Sequence, residues 1–435
     1  MKKKLALIWG AWFALFVWFA EGVSARMGRA DLTDDRRYRD FYEFYAGSHA
    51  LMVGDDIYSA GVLGYVYPPL FAFLLTPLAG LPIATAAWIW LAVKLVLLAL
   101  CIWLGVREVV DRLGTPARGH IAAGVALVGL LFVVDKVRIE MNMQQCNLIL
   151  LLSFILGLRW IDRRPLLAGV AVGFGANFKY LTLICVPYFL IRGRYKAAVS
   201  SVVSTIGWAL VPAIGLGWSQ NMDLLRRAVL GLGNLGGPET ANADAAGVFH
   251  AAFGLSIPSF AARYFGENGH NAGTLTFIAA VALAIAGIAW LCYRGSGTNL
   301  FLGRNGPARS SEASRRAVLL EWCGLIVAAL VFGPQTNSPH LSMLLFPCMA
   351  AAGILLSPTC GVTRKPLWIG TALMIAGLVL PPGGVVSDEI VELWRSLSGA
   401  AWLILPFFIT LLWTGLRYGR GAATGDGPAM AAAGT

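Results

Sequence analysis

The chain of 435 residues is 57% hydrophobic and only 13% charged, with a mean hydropathy of +0.69. A soluble domain is about half apolar and about a quarter charged, so this sequence lacks the polar residues to cover a water-facing surface. Its length and its seven scattered cysteines exclude a secreted disulfide scaffold, and its Trp, Tyr and Phe content excludes disorder. What remains is an all-α, polytopic integral membrane protein, with ~20 apolar residues needed for each span. The formal net charge of +11 sits in short loops between apolar runs, with no basic helix or aromatic-interleaved patch of the kind nucleic acid requires. It is a topology signal, and no nucleic-acid partner is expected.

Lys2–Lys4 followed by Leu5–Ala20 opens the chain with a positive flank and a hydrophobic run. Val23-Ser24-Ala25 has the small-x-small form of a signal-peptide cleavage site, but the spans that follow favour an uncleaved anchor. Arg26–Gly64 is the most charged stretch. Tyr65–Pro82 is apolar but carries Pro68, Pro69, Pro77 and Pro82, which remove donors and kink helices; a short helix packed at the interface is expected there. Residues 84–106 make a span. Further spans are expected at 120–134, 147–160, 166–178 with 180–191, 197–217, 273–293, 317–333, 341–357, 367–381 and 400–417. Each half of 166–191 reaches only ~18–20 Å, so a down-and-back pair of short helices with Lys179 at the turn is expected. The total is about 10–12 transmembrane helices.

The positive-inside rule puts both termini and the loops Arg107–His120, Arg192–Lys196 and Arg294–Arg316 in the cytoplasm. The site is then non-cytoplasmic, in a cell (inner or plasma) membrane. Residues 1–418 read as one transmembrane domain, with a first outer loop at 24–83 and another at 218–270; 419–435 read as a disordered cytoplasmic tail. The cysteines fall mainly in or beside spans, with no spacing that points to metal or redox chemistry.

Three outer loops concentrate polar residues: Arg26–Gly64, Asp135–Asn147 and Gly333–His340. In helical register Phe41, Phe44, Tyr45, Ser48 and Leu51/Met52 share one face, leaving Asp40, Glu43 and Gly47 on another. Such a helix suits the headgroup region, with its aromatics at the apolar boundary. A carboxylate placed there can take a proton from a hydroxyl, and a lysine at a helix break can neutralise a phosphate. The residues alone leave plainer roles open. Asp40, one of several carboxylates between Asp31 and Asp56, is readable as a solvated charge, Lys179 as a snorkelling anchor and His340 as a helix cap. Lys94, alone inside a span, is either snorkelling or paired within the bundle.

At these residues the sequence resembles glycosyltransferase family 87, a set of polytopic C-type glycosyltransferases. The resemblance runs through Asp40-Phe-Tyr-Glu-Phe-Tyr45, Gly54-Asp-Asp-Ile-Tyr58, Tyr65-Val-Tyr67-Pro68-Pro69-Leu70, Gln145-Cys146-Asn147, and Arg163-Arg164-Pro165 with Lys179. It ends at Gly333-Pro334-Gln335-Thr336 and His340, where Gly333 and Asn337 depart from the usual pattern. It implies a GT-C fold and inverting transfer of a hexose, mannose being the family's suggestion, for a role in the cell envelope. The implied partners are a polyprenyl-phosphate-linked sugar donor, a lipid or glycan acceptor and membrane lipids. Asp40 is then expected as general base, and Lys179 and His340 at the donor phosphate, with one of Arg36, Arg37 or Arg39 as a further candidate. Tyr45, Tyr58, Tyr67, Gln145, Asn147 and Gln335 are expected at the substrates.

A lipid phosphate is already a good leaving group, so one carboxylate suffices where most glycosidases use two. No cofactor and no metal are expected, although Asp55–Asp56 leaves a divalent ion open. The competing functions are a polysaccharide ligase or polymerase using lipid-linked glycans, and a transporter or flippase of lipid-linked sugars. A transporter would place its polar and broken-helix features near the bilayer midplane, often with an internal repeat; no repeat is visible.

Overall fold

The computed structural model describes residues 2–62, 64–114, 119–233, 254–265, 272–297, 311–334, 336–357, 362–380 and 386–418. The expected tail, 419–435, lies outside them. Among the described residues the secondary structure is helical, with no strand. The first half comprises α1 (Lys2–Met27), α2 (Asp34–Tyr38), α3 (Asp40–Val53), α4 (Pro69–Ala79), α5 (Ile83–Leu113), α6 (Gly119–Leu131), α7 (Val134–Met143) and α8 (Asn147–Trp160). Then follow α9 (Pro165–Ala176), α10 (Cys185–Ile191), α11 (Tyr195–Leu210), α12 (Ala213–Leu216), α13 (Trp218–Gly233) and α14 (Ile257–Phe265). The last are α15 (Ala272–Gly295), α16 (Glu312–Val331), α17 (Leu345–Leu356), α18 (Lys365–Val379), α19 (Asp388–Ser396) and α20 (Gly399–Arg417).

Five of these stretches are long and apolar enough to cross a membrane: Ile83–Leu113, Tyr195–Leu216, Ala272–Gly295, Ser338–Leu356 and Gly399–Arg417. A sixth is α6 with α7, bent by 69°. The other expected spans include shorter apolar helices at 147–160, 165–176, 180–191 and 365–379, whose 1.5 Å rise per residue falls short of a ~30 Å hydrocarbon layer. The protein is a polytopic membrane protein. Helix α15 shows the lipid-facing extreme, with only 6% of its apolar stretch buried in protein; hydrophobic on every side, it belongs against hydrocarbon.

Helix α5 is the longest element. Pro82 precedes it, where a missing N–H costs nothing, and Gly114 at φ +65° ends it in the left-handed region. Its far end carries Glu108 and Arg112. Arg112 pairs with Glu108 at 3.4 Å and Asp162 at 3.2 Å, and Arg159 reaches Glu108 at 2.8 Å. Arg194 pairs with Asp162, and Arg192 with Glu321, which also accepts from the hydroxyls of Tyr188 at 2.8 Å and Tyr293 at 2.5 Å. The loops with the shared basic signature thus gather at one end of the bundle.

The segment 165–191 doubles back as expected. Thr182 donates to the carbonyl of Val172 at 2.8 Å, an approach a continuous helix forbids for residues ten apart. The Asp162–Arg194 pair closes the other end of the same hairpin. Gly169 and Gly173 let α11 ride directly on α9: a Cβ at Gly173 would lie 2.7 Å from the backbone nitrogen of Thr205.

Two expectations need correction. The apolar face of α3 does not lie in the headgroups; it packs on protein. Phe41 stacks on Trp90 at 5.9 Å, Phe44 meets Tyr67 edge-on at 5.1 Å, and Gly47, placed on the polar face from the register, is buried against the Tyr65 ring. And 135–147 is mostly the helix α7 rather than an open loop. Its Glu140 is fully buried and pairs with Lys94 of α5 at 3.3 Å. An intramembrane lysine surrounded by apolar side chains needs such a counter-charge, which answers the question of Lys94 in favour of pairing.

Candidate active site

The polar groups at the other end of the bundle converge from five elements. Asp40 opens α3 immediately after Arg39, whose φ of +55° is left-handed. Gln145 follows Gln144, the C-cap of α7 at φ +57°. Among the described residues only three non-glycines have positive φ, and two of them directly precede these side chains. Such strain persists only where surroundings hold it, and it concentrates at functional sites. The indole of Trp90 contributes by donating to the Gln144 carbonyl at 3.0 Å.

Gln145 is the joint. Its amide nitrogen donates to Asp40 Oδ2, while its oxygen accepts from Lys179 Nζ at 3.1 Å and from the Tyr67 hydroxyl at 3.1 Å. Burial pushes the Tyr67 phenol well above its usual range, so it stays protonated and serves as a donor. The Lys179 ammonium also donates to Asn147 Oδ1 at 2.8 Å and meets His340 Nε2 at 2.8 Å. All three of its N–H groups are thereby engaged by neutral acceptors, and its charge lies 5.6 Å above the Tyr67 ring.

His340 sits in a 3₁₀ turn over 338–344, where its Nδ1 faces Asn337 Oδ1 and its backbone N–H bonds the Asn337 carbonyl at 3.1 Å. Nδ1 has two neighbours on Asn337: the backbone N–H, which donates to it at 3.2 Å and closes the cap, and the side-chain oxygen, which asks for a proton. A protonated Lys179 selects the second, with Nε2 accepting and the ring proton on Nδ1, so the cap and the site compete for one ring nitrogen. Behind the ammonium, Asn147 Nδ2 donates to Glu140 Oε2 at 2.8 Å, which ties the Lys94–Glu140 pair to the same network. Two cations and two carboxylates balance within it.

Asp40 is mostly enclosed, and burial raises its carboxyl above the ordinary range, against the opposing pull of Gln145 and Lys179. Among the described residues nothing hydrogen-bonds its Oδ1. One oxygen is held and the other is available: the form of a positioned base.

Six of the nine expected site residues thus meet: Asp40, Tyr67, Gln145, Asn147, Lys179 and His340. Tyr45 and Tyr58 do not join them. The Tyr45 hydroxyl donates to the Leu81 carbonyl at 2.8 Å, and that of Tyr58 to the Leu224 carbonyl at 2.9 Å, with Arg227 5.0 Å above its ring. Both pin loops to the site's margin, because their rings leave α3 and the 57–59 turn in directions the motif spacing does not encode. Gln335 lies outside the described residues. Of the arginines raised as candidates, Arg37 pairs with Asp34 at 3.7 Å and donates to the Leu32 carbonyl at 2.8 Å.

Asp56 is held down at about 2 by hydrogen bonding from Arg227, and also accepts from Ser59. Asp55 beside it is exposed. Among the described residues no group of three or more His, Cys, Asp or Glu is arranged to hold a metal ion. Sequence reasoning missed Glu140 and Asn337 as participants. The isolated charge of Lys94 was the one signal that a buried carboxylate had to exist nearby.

A polytopic helical membrane protein with an enclosed carboxylate, a buried ammonium and a histidine joined by amide side chains at one end is the class that fold and site define. The chain belongs to glycosyltransferase family 87, whose match covers residues 65–304, and it is a membrane glycosyltransferase. That match includes Tyr67, Gln145, Asn147 and Lys179 but begins after Asp40 and ends before His340. The chain is also 22% identical, over 418 residues, to a polyprenol-phosphate-mannose-dependent alpha-(1-2)-phosphatidylinositol mannoside mannosyltransferase of Mycolicibacterium smegmatis, with 89% of this chain and 86% of that protein covered. No solved structure matches the chain.

Proposed function

We propose that the protein transfers a mannosyl residue from a polyprenyl-phosphate donor to a lipid or glycan hydroxyl, on the non-cytoplasmic face and without a metal. The observation that carries this is the Asp40–Gln145–Lys179 chain. It holds a carboxylate of raised pKa beside a buried ammonium, with one carboxylate oxygen left free. The mycobacterial relative's activity supports the donor class.

The acceptor oxygen attacks the anomeric carbon and its proton passes to Asp40 Oδ1. The bond from that carbon to the phosphate oxygen breaks, and the electron pair leaves as negative charge on the lipid phosphate. One displacement inverts the anomeric centre. Lys179 meets the developing charge when a phosphate oxygen replaces one of its neutral acceptors, a trade that strengthens the hydrogen bond. His340, an acceptor toward Lys179 in the ligand-free site, is the partner with most to yield.

The test is incubation of purified protein with polyprenyl-phosphate-mannose and candidate acceptors, following release of polyprenyl phosphate together with acceptor mannosylation. Donor consumption with no glycosylated product, or none at all across acceptors, rejects the assignment. The pH profile is a second check. A base must be ionised, and burial raises the Asp40 carboxyl, so transfer is lost as pH falls through a pKa above the ordinary ~3.9 of aspartate. An acidic limb at or below that value rejects Asp40 as the base.

Orientation follows from the loop charges. A membrane-impermeant maleimide added to intact spheroplasts is expected to label Asp55→Cys and spare Arg163→Cys, both exposed positions at opposite ends of the bundle. The reverse pattern overturns the topology.

A further inference from the structure

Beneath the site lies a pair of charges that the transfer step does not use. Lys94 and Glu140 are 1% and 0% exposed, 3.3 Å apart, and joined again by Lys94 Nζ donating to the Glu140 carbonyl at 2.5 Å. A buried ion pair is weak evidence for stability, because apolar residues of similar volume often serve as well. Its connections are more informative. Glu140 Oε2 accepts from Asn147 Nδ2 at 2.8 Å, and Asn147 Oδ1 accepts from Lys179 at 2.8 Å. An amide side chain rotated by 180° would present its NH₂ group to Lys179, placing donor against donor. Glu140 prevents that flip, since it can only accept. Lys94 in turn offsets the negative charge of Glu140, which would otherwise draw the Lys179 ammonium downward, away from Gln145 and Asp40.

We propose that Glu140 and Lys94 are positioning residues for the transfer: they lock the Asn147 amide so that its oxygen, and never its nitrogen, faces Lys179. The kinetic part of the test rests on the proposed function; a chemical part does not.

Either single neutralisation strands a buried charge and impairs folding, so the test uses charge-neutral pairs. Lys94→Leu/Glu140→Leu removes the charges and the acceptor together. Lys94→Met/Glu140→Gln removes the charges but keeps an amide oxygen for Asn147. With polyprenyl-phosphate-mannose as donor, the Leu pair is expected to raise donor KM about 10-fold or more, the size of losing a hydrogen bond to a charged group. The Met/Gln pair is expected to restore it, at comparable thermal stability. Unchanged donor KM in the Leu pair, or equal loss in both pairs, overturns the proposal.

A second set does not depend on the Leu pair folding. Asn147→Asp sets a carboxylate against Glu140, whereas Lys94→Met/Glu140→Gln/Asn147→Asp rebuilds the bridge with reversed polarity and strands no buried lysine. Rescue of donor KM by the added pair supports the lock, and its absence overturns it. The readout independent of turnover is reductive methylation of Lys179, followed by mass spectrometry. Faster modification is expected in the Leu pair, with near wild-type rates in the Met/Gln pair. Uniform rates in the wild type and both pairs overturn the proposal even if the wild type transfers nothing from this donor, a result that would separately reject the proposed function.

Discussion

Asp40→Asn protein is expected to fold normally and to transfer sugar about 10²–10⁴-fold more slowly than the wild type, the usual cost of removing a general base. Asparagine keeps the shape and an oxygen that accepts from Gln145 Nε2, so the network survives; only the ability to take a proton is gone. The direction of the pKa shift sharpens the expectation. Burial raises the folded-state pKa of Asp40, so its ionised form is disfavoured on folding, and that penalty is present above the folded pKa and absent below the unfolded one. The asparagine variant escapes it. At neutral pH its melting temperature should therefore equal or exceed that of the wild type while its turnover collapses, and a damaged fold predicts the opposite correlation.

Neighbouring carboxylates serve as controls. Glu43 accepts from the Val62 amide at 3.3 Å and lies against Gly61, where an added Cβ would collide with it. Glu43→Gln should cost loop stability and leave the chemical step intact. Near-full transfer by well-folded Asp40→Asn, with transfer lost in Glu43→Gln, moves the base to Glu43.

Lys179→Met is the second large effect. Its ammonium occupies three acceptors at once, from Gln145, Asn147 and His340, and methionine removes that donor from all three in an enclosed site, leaving the Gln145 oxygen only the Tyr67 hydroxyl. Loss of ~1.5–3 kcal/mol in donor use is expected, the range for a hydrogen bond to a charged group, measured as kcat/KM for polyprenyl-phosphate-mannose. A pH signature accompanies it. Lys179 pulls the Asp40 carboxyl down against the effect of burial, so its removal moves the acidic limb of transfer to higher pH. Lys179→Arg should restore little, because a planar fork cannot meet three acceptors converging on a point charge. Wild-type kcat/KM and an unmoved limb in Lys179→Met return the residue to a packing role.

Much of this protein was legible in its sequence, for a definite reason. Runs of apolar residues bounded by Pro, Gly and basic loops encode helices one segment at a time, and hydrocarbon leaves the backbone few other choices. The down-and-back pair with Lys179 at its break could be derived because each half was too short to span and the charge between them could not remain in lipid. The residues alone placed a polar site on the outer loops; it was the resemblance to the family's motifs that singled out Asp40, Gln145, Asn147 and His340 within it.

What sequence spacing does not carry is direction across the bundle. Whether the Phe41 face of α3 meets headgroups or protein depends on where Trp90 and Tyr67 arrive, and they come from a helix and a connecting bend 23 or more positions further along the chain. The same holds for the rings of Tyr45 and Tyr58, which share motifs with site residues yet turn away to the Leu81 and Leu224 carbonyls. Glu140 was the hardest case. It reads as one more charge in a polar segment, and only the 69° bend between α6 and α7 carries it inward to Lys94. A buried charge is tolerable only with its partner in place, and that partner is chosen by tertiary packing across 46 residues of chain.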